Sequence, residues 1–270
     1  MFNFLKSQRR LTIFYLSSVI EKLNIQATDG ELGGVRDLYF DDQYWTVRYL
    51  VVDTRKWLPG KKVLLSPISF DHVDMENNTV NVFATKETVK NAPHQLDDAP
   101  VSKQTEQHLA NYYGWPTYWS GLGLGAWGGY DNPYAFGDAY NNGLIQNNVS
   151  ADDLGDDHLR STNHIKGDFT GYRIEALDGE IGHVSDFAID ETNWKIEYLV
   201  VETRNWLLGE FVLIATGWVK EINWEDKKVL INLTKEQVKQ GAELDPDSNR
   251  PIIRHDEEQV YASTRKQNIE

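Results

Sequence analysis

The chain has 270 residues, of which 40% are hydrophobic and 12% aromatic, and its formal net charge is −14. Because an acidic surface repels phosphate groups, this charge argues against direct binding to nucleic acid or to an anionic membrane surface. The sequence contains no cysteine, which excludes disulfides, thiolate metal sites and cysteine catalysis and fits a reducing, cytoplasmic location.

The first predicted element is an apolar run at residues 11–20. It is too short to span a bilayer, so we expect no transmembrane segment. A signal peptide would need a cleavage site with small residues, whereas this run leads straight into the repeated sequence described next. We therefore predict a first strand rather than an export signal.

The chain contains one sequence twice. Residues 29–90 align without a gap onto residues 178–239, at a constant offset of 149, and 26 of the 62 aligned positions are identical. A long unit that is present only twice indicates two domains of one fold rather than a solenoid. We predict a first domain at 1–95, a linker at 96–160, a second domain at 161–245 and an acidic, polar tail at 246–270.

The residue pattern of each copy predicts five or six short strands in the same order. The first strand ends at an Asp-Gly dipeptide, which is typical of a tight hairpin turn. A short helix follows the last strand, since Thr85 and Thr234 are preferred N-cap residues. So small a sheet favours closure into a barrel. The other strands are predicted at 35–40, 45–52, 62–65 and 80–83, and at 184–189, 194–201, 211–214 and 229–232.

Three motifs that recur in both copies resemble the PRC-barrel, the domain shared by the photosynthetic reaction centre H subunit and RimM-type ribosome maturation factors. They read Asp-Gly-Glu-x-Gly-x-Val-x-Asp, Trp-x-x-x-Tyr-Leu-Val-Val and Thr-Arg-x-Trp-Leu-x-Gly. The repeated motif residues are Asp29, Gly30, Trp45, Tyr49, Arg55, Trp57 and Gly60 in the first copy and Asp178, Gly179, Trp194, Tyr198, Arg204, Trp206 and Gly209 in the second.

The resemblance implies a mainly β protein with two six-stranded barrels, each followed by a short helix, that acts as an adaptor. The chain has neither the membrane-spanning helix of the H subunit nor the separate amino-terminal domain of the maturation factor. The fold can therefore be transferred from the family, but those two specific roles cannot.

The linker is rich in glycine and aromatic residues, and ten aromatic rings lie in residues 111–148. Because each large ring buries about 150–250 Å² when packed, we predict that this irregular segment packs on its own barrels or on a second chain in a symmetric homodimer. A disordered tether and a dedicated binding surface are the alternatives. The stretch 112–119 also resembles bacterial proteins with two PRC-barrels. The possible interaction surface comprises Tyr112, Tyr113, Trp115, Tyr118, Trp119 and Trp127.

The sequence offers weak candidates for chemistry. Seven histidines are present, but none has paired metal-ligand spacing, and no nucleophile elbow, phosphate loop or dinucleotide fingerprint occurs. We therefore predict no metal, no cofactor and no catalytic residue. An acid and an arginine two residues apart recur in both copies and are predicted to form salt bridges, with a catalytic or ligand-binding pair as the alternative; they are Asp53 with Arg55 and Glu202 with Arg204. Two aspartates also recur at equivalent positions and are predicted to shape turns, with paired catalytic acids as the alternative; they are Asp37 with Asp186 and Asp41 with Asp190.

These observations favour a non-enzymatic protein-binding or scaffolding module with an unknown protein partner. One alternative is a small-molecule-binding protein with its site between the barrels. Another is an enzyme that uses the repeated Asp/Arg pairs. The repeated tryptophans are predicted to be core residues rather than a ligand cage.

Overall fold

A computed structural model of the chain describes residues 13–55, 58, 63–93, 101–119, 127, 129–146, 159–167, 171–203, 210–240, 243–244 and 252–253. The described residues are organised mainly as two β-sheets, one for each copy of the repeat. Strand β1 (Ile13–Leu16) and the helical turn α1 (Ser17–Ile20) precede the first copy.

The first copy forms six strands and a terminal helix. They are β2 (Asn24–Ala27), β3 (Gly30–Asp41), β4 (Thr46–Asp53), β5 (Val63–Leu65), β6 (Phe70–Asp74), β7 (Thr79–Val82) and α2 (Lys86–Asn91). The sequence pattern did not predict β6, because its polar residues Asp71, His72 and Asp74 mask the alternation expected of a strand. The Thr85 side chain accepts a hydrogen bond from Thr88 N, which confirms the predicted N-cap of α2.

The linker contains two helices, α3 (Lys103–Tyr113) and α4 (Pro133–Asn141), which its glycine and aromatic content did not predict. Ser102 and Asn132 cap their amino ends, and Gly114 ends α3 in the left-handed conformation with φ +70°. We call the described linker residues 101–119, 127 and 129–146 the arm. Strand β8 (Leu159–Ser161) and the helical turn α5 (Thr162–Ile165) follow.

The second copy repeats the first element by element. Its elements are β9 (Arg173–Ala176), β10 (Gly179–Asp190), β11 (Ile196–Thr203), β12 (Glu210–Ala215), β13 (Val219–Asn223), β14 (Lys228–Ile231) and α6 (Lys235–Lys239). Two short strands, β15 (Glu243–Leu244) and β16 (Ile252–Ile253), follow α6 and pair with β12 and β1.

Both copies have the same strand order, β6-β7-β2-β3-β4-β5 in the first and β13-β14-β9-β10-β11-β12 in the second. We call these units barrel 1 and barrel 2. The register is also the same, because Tyr39 lies opposite Tyr49 and Ala188, 149 positions later, lies opposite Tyr198. The prediction of one mainly β fold in two copies is therefore confirmed.

The strand that precedes each copy joins the sheet of the other copy. Strand β1 pairs antiparallel with β10 of barrel 2, and β8 pairs antiparallel with β3 of barrel 1. The exchange is reciprocal in register, since Leu16 lies opposite Ala188 and Ser161 lies opposite Tyr39, the equivalent position. Within the run at 11–20, residues 13–16 form a strand, as predicted, but it joins the second barrel and not the first. Residues 17–20 form a helical turn, which the sequence analysis did not predict.

Buried side chains from both barrels and from the arm form one hydrophobic cluster. Phe40 of barrel 1 and Phe187 of barrel 2 meet in it with ring centroids 5.8 Å apart. A second, smaller cluster covers the outer side of barrel 2, where Phe14 of the exchanged strand packs edge-on against Tyr198. The two barrels therefore share a core in addition to sharing strands.

Candidate functional site

The exchanged segments are anchored by two buried or half-buried carboxylates at equivalent positions. Asp37 accepts hydrogen bonds from Ser161 Oγ at 2.6 Å and from Thr162 Oγ1 at 3.2 Å. Asp186 accepts hydrogen bonds from Ser17 Oγ and from the backbone nitrogen of Ser18. Each carboxylate also accepts a hydrogen bond from the backbone nitrogen of the residue that follows it. The prediction that Asp37 and Asp186 shape turns is therefore wrong, because they lie within β3 and β10 and bind the exchanged segments that hold the barrels together.

The contact between the barrels has an approximate twofold symmetry. Thr46 and Lys195, which are 149 positions apart, face each other in an antiparallel β-bridge. On either side, Val47 N donates to Trp194 O at 2.8 Å and Ile196 N donates to Trp45 O at 2.7 Å. Both tryptophans have left-handed backbones, with φ +54° and +60°. An isologous contact of this kind is typical of a dimer of identical subunits, here within one chain.

One ion pair crosses the same interface. Lys166 Nζ lies 2.6 Å from Glu21 Oε1 and donates to Ser17 Oγ at 2.9 Å. Glu21 and Lys166 each follow the exchanged helical turn of their own copy. Equivalent positions therefore carry opposite charges, which attract each other where two identical side chains would repel.

The arm covers one side of barrel 1. Leu109, Ala110 and Trp115 are buried, and so are Trp127 and Phe136. Trp127 Nε1 donates a hydrogen bond of 2.7 Å to Asn193 O in barrel 2, so the arm also contacts the second barrel. The described part of the arm therefore packs on the barrels of its own chain, which is one of the arrangements that the sequence left open.

The residues of the possible interaction surface have different environments. Trp115 and Trp127 are buried, while Tyr113, Tyr118 and Trp119 are half-buried. Tyr112 is 40% exposed, and its hydroxyl donates to Thr88 O in α2 at 2.8 Å. Of the six rings, Tyr112 is therefore the one most open to solvent.

Barrel 1 presents a buried arginine to the arm. The Arg48 guanidinium carbon lies 3.7 Å from the centre of the Tyr118 ring and 4.8 Å from that of Trp127. Its Nη2 lies 3.3 Å from Asp41 Oδ2. Cation–π contacts gain strength where both partners lose contact with water. Arg48 is only 1% exposed, so these contacts are desolvated.

A buried glutamate of the arm lies beside Arg48. Glu106 Oε1 accepts hydrogen bonds from Lys103 Nζ at 2.9 Å and from the Tyr118 hydroxyl at 3.2 Å. Burial raises the pKa of Glu106 to about 6, although Lys103 and Arg48 act in the opposite direction. We call Arg48, Asp41, Lys103, Glu106, Tyr118 and Trp127 the Arg48 cluster.

The repeated Asp-Gly turns support the terminal helices. Asp29 Oδ1 accepts a 2.8 Å hydrogen bond from Lys86 N, the first residue of α2. Asp178 Oδ1 does the same for Lys235 N of α6, also at 2.8 Å. Gly30 and Gly179 have positive φ, as expected in a hairpin turn. These motif residues therefore connect the first hairpin of each barrel to its last helix.

The repeated aromatic residues lie in the cores. Tyr49 and Tyr198 are buried on equivalent strands, and burial raises the pKa of Tyr49 well above its usual range, assisted by Glu106. Trp45 stacks on Phe40 with ring centroids 5.5 Å apart. Trp194 is buried and packs edge-on against Phe70 of barrel 1. The four residues fill space in and between the barrels.

The Asp/Arg pair of the first copy lies at the surface. Arg55 contacts both oxygens of Asp53 at 2.9 Å, and Arg36 Nε also donates to Asp53 at 2.9 Å. The Arg36 and Arg55 side chains are more than half exposed, so solvent screens the ion pairs. In the second copy Glu202 lies 3.2 Å from His183 Nε2. Five motif residues lie outside the described residues, namely Trp57, Gly60, Arg204, Trp206 and Gly209.

Asp41 and Asp190 shape turns, as the sequence predicts. Asp41 accepts hydrogen bonds from Gln43 N and Tyr44 N, and Asp190 accepts from the backbone nitrogen and the hydroxyl of Thr192. Together with Asp37 and Asp186, all four repeated aspartates of the β3 and β10 strands have structural partners.

Two cavities that the described residues line are small. One lies between the arm and barrel 1 and the other at the junction of the barrels near Tyr15 and Trp194, and each measures about 10 Å³. Such a volume holds about one water molecule. Among the described residues, no group of three or more His, Asp or Glu side chains is placed to hold a metal ion.

Two kinds of important residue were missed by the sequence analysis. A Cβ atom on Gly33 would lie 1.9 Å from Asp53 O, and one on Gly182 would lie 2.0 Å from Glu202 O. Their recurrence in the Asp-Gly-Glu-x-Gly motif was the available signal. Arg48 and Glu106 gave no such signal, because a charged residue at these positions is expected to face solvent unless the arm covers it.

The model of the PRC-barrel domain matches residues 12–89 and 168–238, which together are more than half of the chain. No curated protein matches the sequence significantly. In the part of the chain that the structure describes, no helix is long and apolar enough to cross a membrane.

Proposed function

Because this chain belongs to the PRC-barrel family, we propose that it is a non-enzymatic adaptor that binds another protein on the outer surfaces of two interlocked barrels. Domains of this family are generally protein-interaction modules. For a chain with two barrels and an arm, we propose that this general interaction role takes the specific form of an adaptor.

The reciprocal strand exchange carries the proposal. Asp37 and Asp186, the repeated acids that resemble a catalytic pair in sequence, bind the exchanged helical turns instead of facing a cavity. Strands β1 and β8 then fix the barrels relative to each other. A rigid pair of barrels suits a scaffold, because a partner that contacts both of them loses less conformational freedom on binding.

The alternative of a small molecule bound between the barrels receives less support. The junction is filled by Phe40, Phe187 and Trp194, and its described cavity holds about one water molecule. The alternative of an enzyme requires a sheltered Asp/Arg pair, whereas Arg55 is exposed. Both observations favour binding at an outer surface.

We propose a protein partner and no nucleic acid, since the net charge of −14 repels phosphate. A cytoplasmic location stays a prediction and rests on the absence of cysteine. A homodimer also stays a prediction. Because the isologous contact through Thr46 and Lys195 is already used within the chain, a homodimer would need another surface.

Affinity capture with the intact chain as bait tests the adaptor proposal. Cross-linking before capture from the native cell should enrich a small set of proteins at least tenfold over an unrelated acidic bait of similar size. Native mass spectrometry of the purified chain is the companion measurement. A retained small molecule without any enriched protein would contradict the proposal and support the ligand-binding alternative. Light scattering coupled to size exclusion measures the molar mass in solution and shows whether the chain forms a homodimer.

A further inference from the structure

The barrel 1 surface beneath the arm differs in chemistry from its counterpart in barrel 2. We call Arg48, Tyr49, Ser66 and Ile68 the arm-binding face, since they line one small cavity together with the arm. The equivalent residues 149 positions later are Glu197, Tyr198, Ala215 and Gly217. Tyrosine is retained, whereas arginine is replaced by glutamate. The barrel fold therefore does not require a buried arginine at this position.

The arm meets this face with matching chemistry. Helix α3 places Glu106 beside Arg48 and Tyr49, and the segment after Gly114 places the ring of Tyr118 over the guanidinium. Trp115 packs parallel to Tyr113 with ring centroids 4.2 Å apart. An amphipathic helix lying in a groove is a common mode of peptide recognition. The arm thus has the form of a bound peptide, joined covalently to its receptor.

The contact combines apolar packing of Leu109, Trp115 and Trp127 with buried charge. Arg48 is 1% exposed and Glu106 is fully buried. Arg48 pairs with Asp41 of barrel 1, and Glu106 pairs with Lys103 of the arm. Burying these charges costs free energy that their pairing only partly returns, so the charged groups add selectivity more than stability. A segment held in this way can be displaced by a competitor with the same chemistry. By contrast, barrel 2 has Glu197 at the position of Arg48, and this carboxylate pairs with Lys195, so the equivalent face offers no cation at this position to a carboxylate of such a segment.

We propose that the arm-binding face of barrel 1 is the partner-binding surface of this adaptor, that the partner contributes a helix with a buried carboxylate followed by aromatic residues, and that the arm occupies this surface in the isolated chain. This inference rests on the proposed adaptor function. It specifies which face binds the partner's helix, what chemistry that helix carries and why the equivalent face of barrel 2 does not bind it.

A peptide of residues 101–119 is the probe for the surface. In the full chain, Leu109→Asp places a charge on the buried side of α3 and should release the arm without altering the barrel. We expect the labelled peptide to bind Leu109→Asp at least tenfold more tightly than it binds the wild type, as measured by fluorescence anisotropy. Adding Arg48→Glu should weaken binding at least tenfold, whereas Glu197→Gln, at the equivalent position of barrel 2, should leave it unchanged.

Circular dichroism establishes that each variant is folded, and a peptide carrying Glu106→Lys provides a second test that needs no change to the barrel. Equal binding of both peptides, or no binding to folded Leu109→Asp, would overturn the inference. If affinity capture identifies a partner, the arm-released variant Leu109→Asp should retain at least fivefold more of that partner than the wild type does. The peptide of residues 101–119 should displace the partner from the variant. If the wild type and the arm-released variant retain equal amounts of the partner, and the peptide does not displace it, this inference is overturned but the adaptor proposal stays intact. If neither chain retains any partner, both proposals fail.

Discussion

Thr46 of barrel 1 and Lys195 of barrel 2 occupy the same position in the two copies and form an antiparallel bridge with each other. Near this point, equivalent segments of the chain meet through the exchanged strands and the Glu21–Lys166 ion pair. The chain is thus organised like a symmetric dimer whose subunits are covalently joined.

Replacing Asp186 with alanine should destabilise the protein by about 2–3 kcal/mol, because Ser17 Oγ and Ser18 N lose a buried charged acceptor. Urea denaturation measures this loss. Glu225→Ala, which changes an exposed carboxylate in the turn after β13, is the control and should alter stability by less than about 0.5 kcal/mol. Equal stability of Asp186→Ala and wild type would show that the anchor is dispensable.

A cavity in one barrel should weaken both barrels, since they share strands and a core. Val80 and Val229 are equivalent, fully buried residues, and either Val→Ala change should cost about 2 kcal/mol. Hydrogen exchange measured by mass spectrometry should then show a similar loss of protection in β4 and in β11 for each variant. Protection lost only in the barrel that carries the substitution would mean that the barrels unfold independently.

Gly33→Ala should destabilise the chain by more than about 2 kcal/mol, because a Cβ atom there would lie 1.9 Å from the Asp53 carbonyl oxygen. Gly217→Ala is a matched control, since nothing lies within 4 Å of its Cβ position. Thermal unfolding compares the two. A mild effect of Gly33→Ala would indicate that β3 and β4 can separate at little cost.

Glu106→Gln should remove a pH dependence of stability. Burial raises the pKa of Glu106 to about 6 from its ordinary 4.5, so the folded state binds this proton more tightly than the unfolded state does. Wild type should therefore gain up to about 2 kcal/mol relative to Glu106→Gln as the pH falls from 7.5 to 4.5, and lose it again as the pH rises through 6.

Chemical denaturation at several pH values measures this difference, with Arg48, Lys103, Tyr49 and Tyr118 present in both proteins as the other charged or titratable groups around the site. A stability difference that does not vary with pH would mean that Glu106 is solvated or strongly paired in the folded chain.

Trp127→Phe should destabilise the packing of the arm less than Trp127→Ala, which should cost about 3–5 kcal/mol because the ring is 1% exposed. Phenylalanine keeps an aromatic face for Arg48 but cannot donate the hydrogen bond to Asn193 O. Limited proteolysis within residues 101–146 reports release of the arm. Unchanged cleavage in Trp127→Ala would contradict a role for this ring in docking.

The sequence alone determined the elements that depend on nearby residues. The Asp29-Gly30 and Asp178-Gly179 turns, the Thr85 and Thr234 caps and the strand that carries Tyr49 or Tyr198 are each specified by a few neighbouring side chains. The repeat then required both copies to share one topology. The helices of the arm were detectable in principle, since Ser102 and Gly114 delimit α3, but the surrounding glycine and aromatic residues obscured them.

Only the tertiary structure decided which barrel each exchanged strand joins and which charges become buried. The edges of β3 and β10 are equivalent in the fold, so the local sequence of β1 does not distinguish them. The choice depends on distant residues that differ between the copies, such as Ala188, which lies opposite Leu16 and is replaced by Tyr39 in barrel 1. Arg48 and Glu106 likewise read as solvent-facing residues until the arm folds over barrel 1. Burial is a property of the assembled surfaces, and it depends on contacts between residues that are distant in the chain.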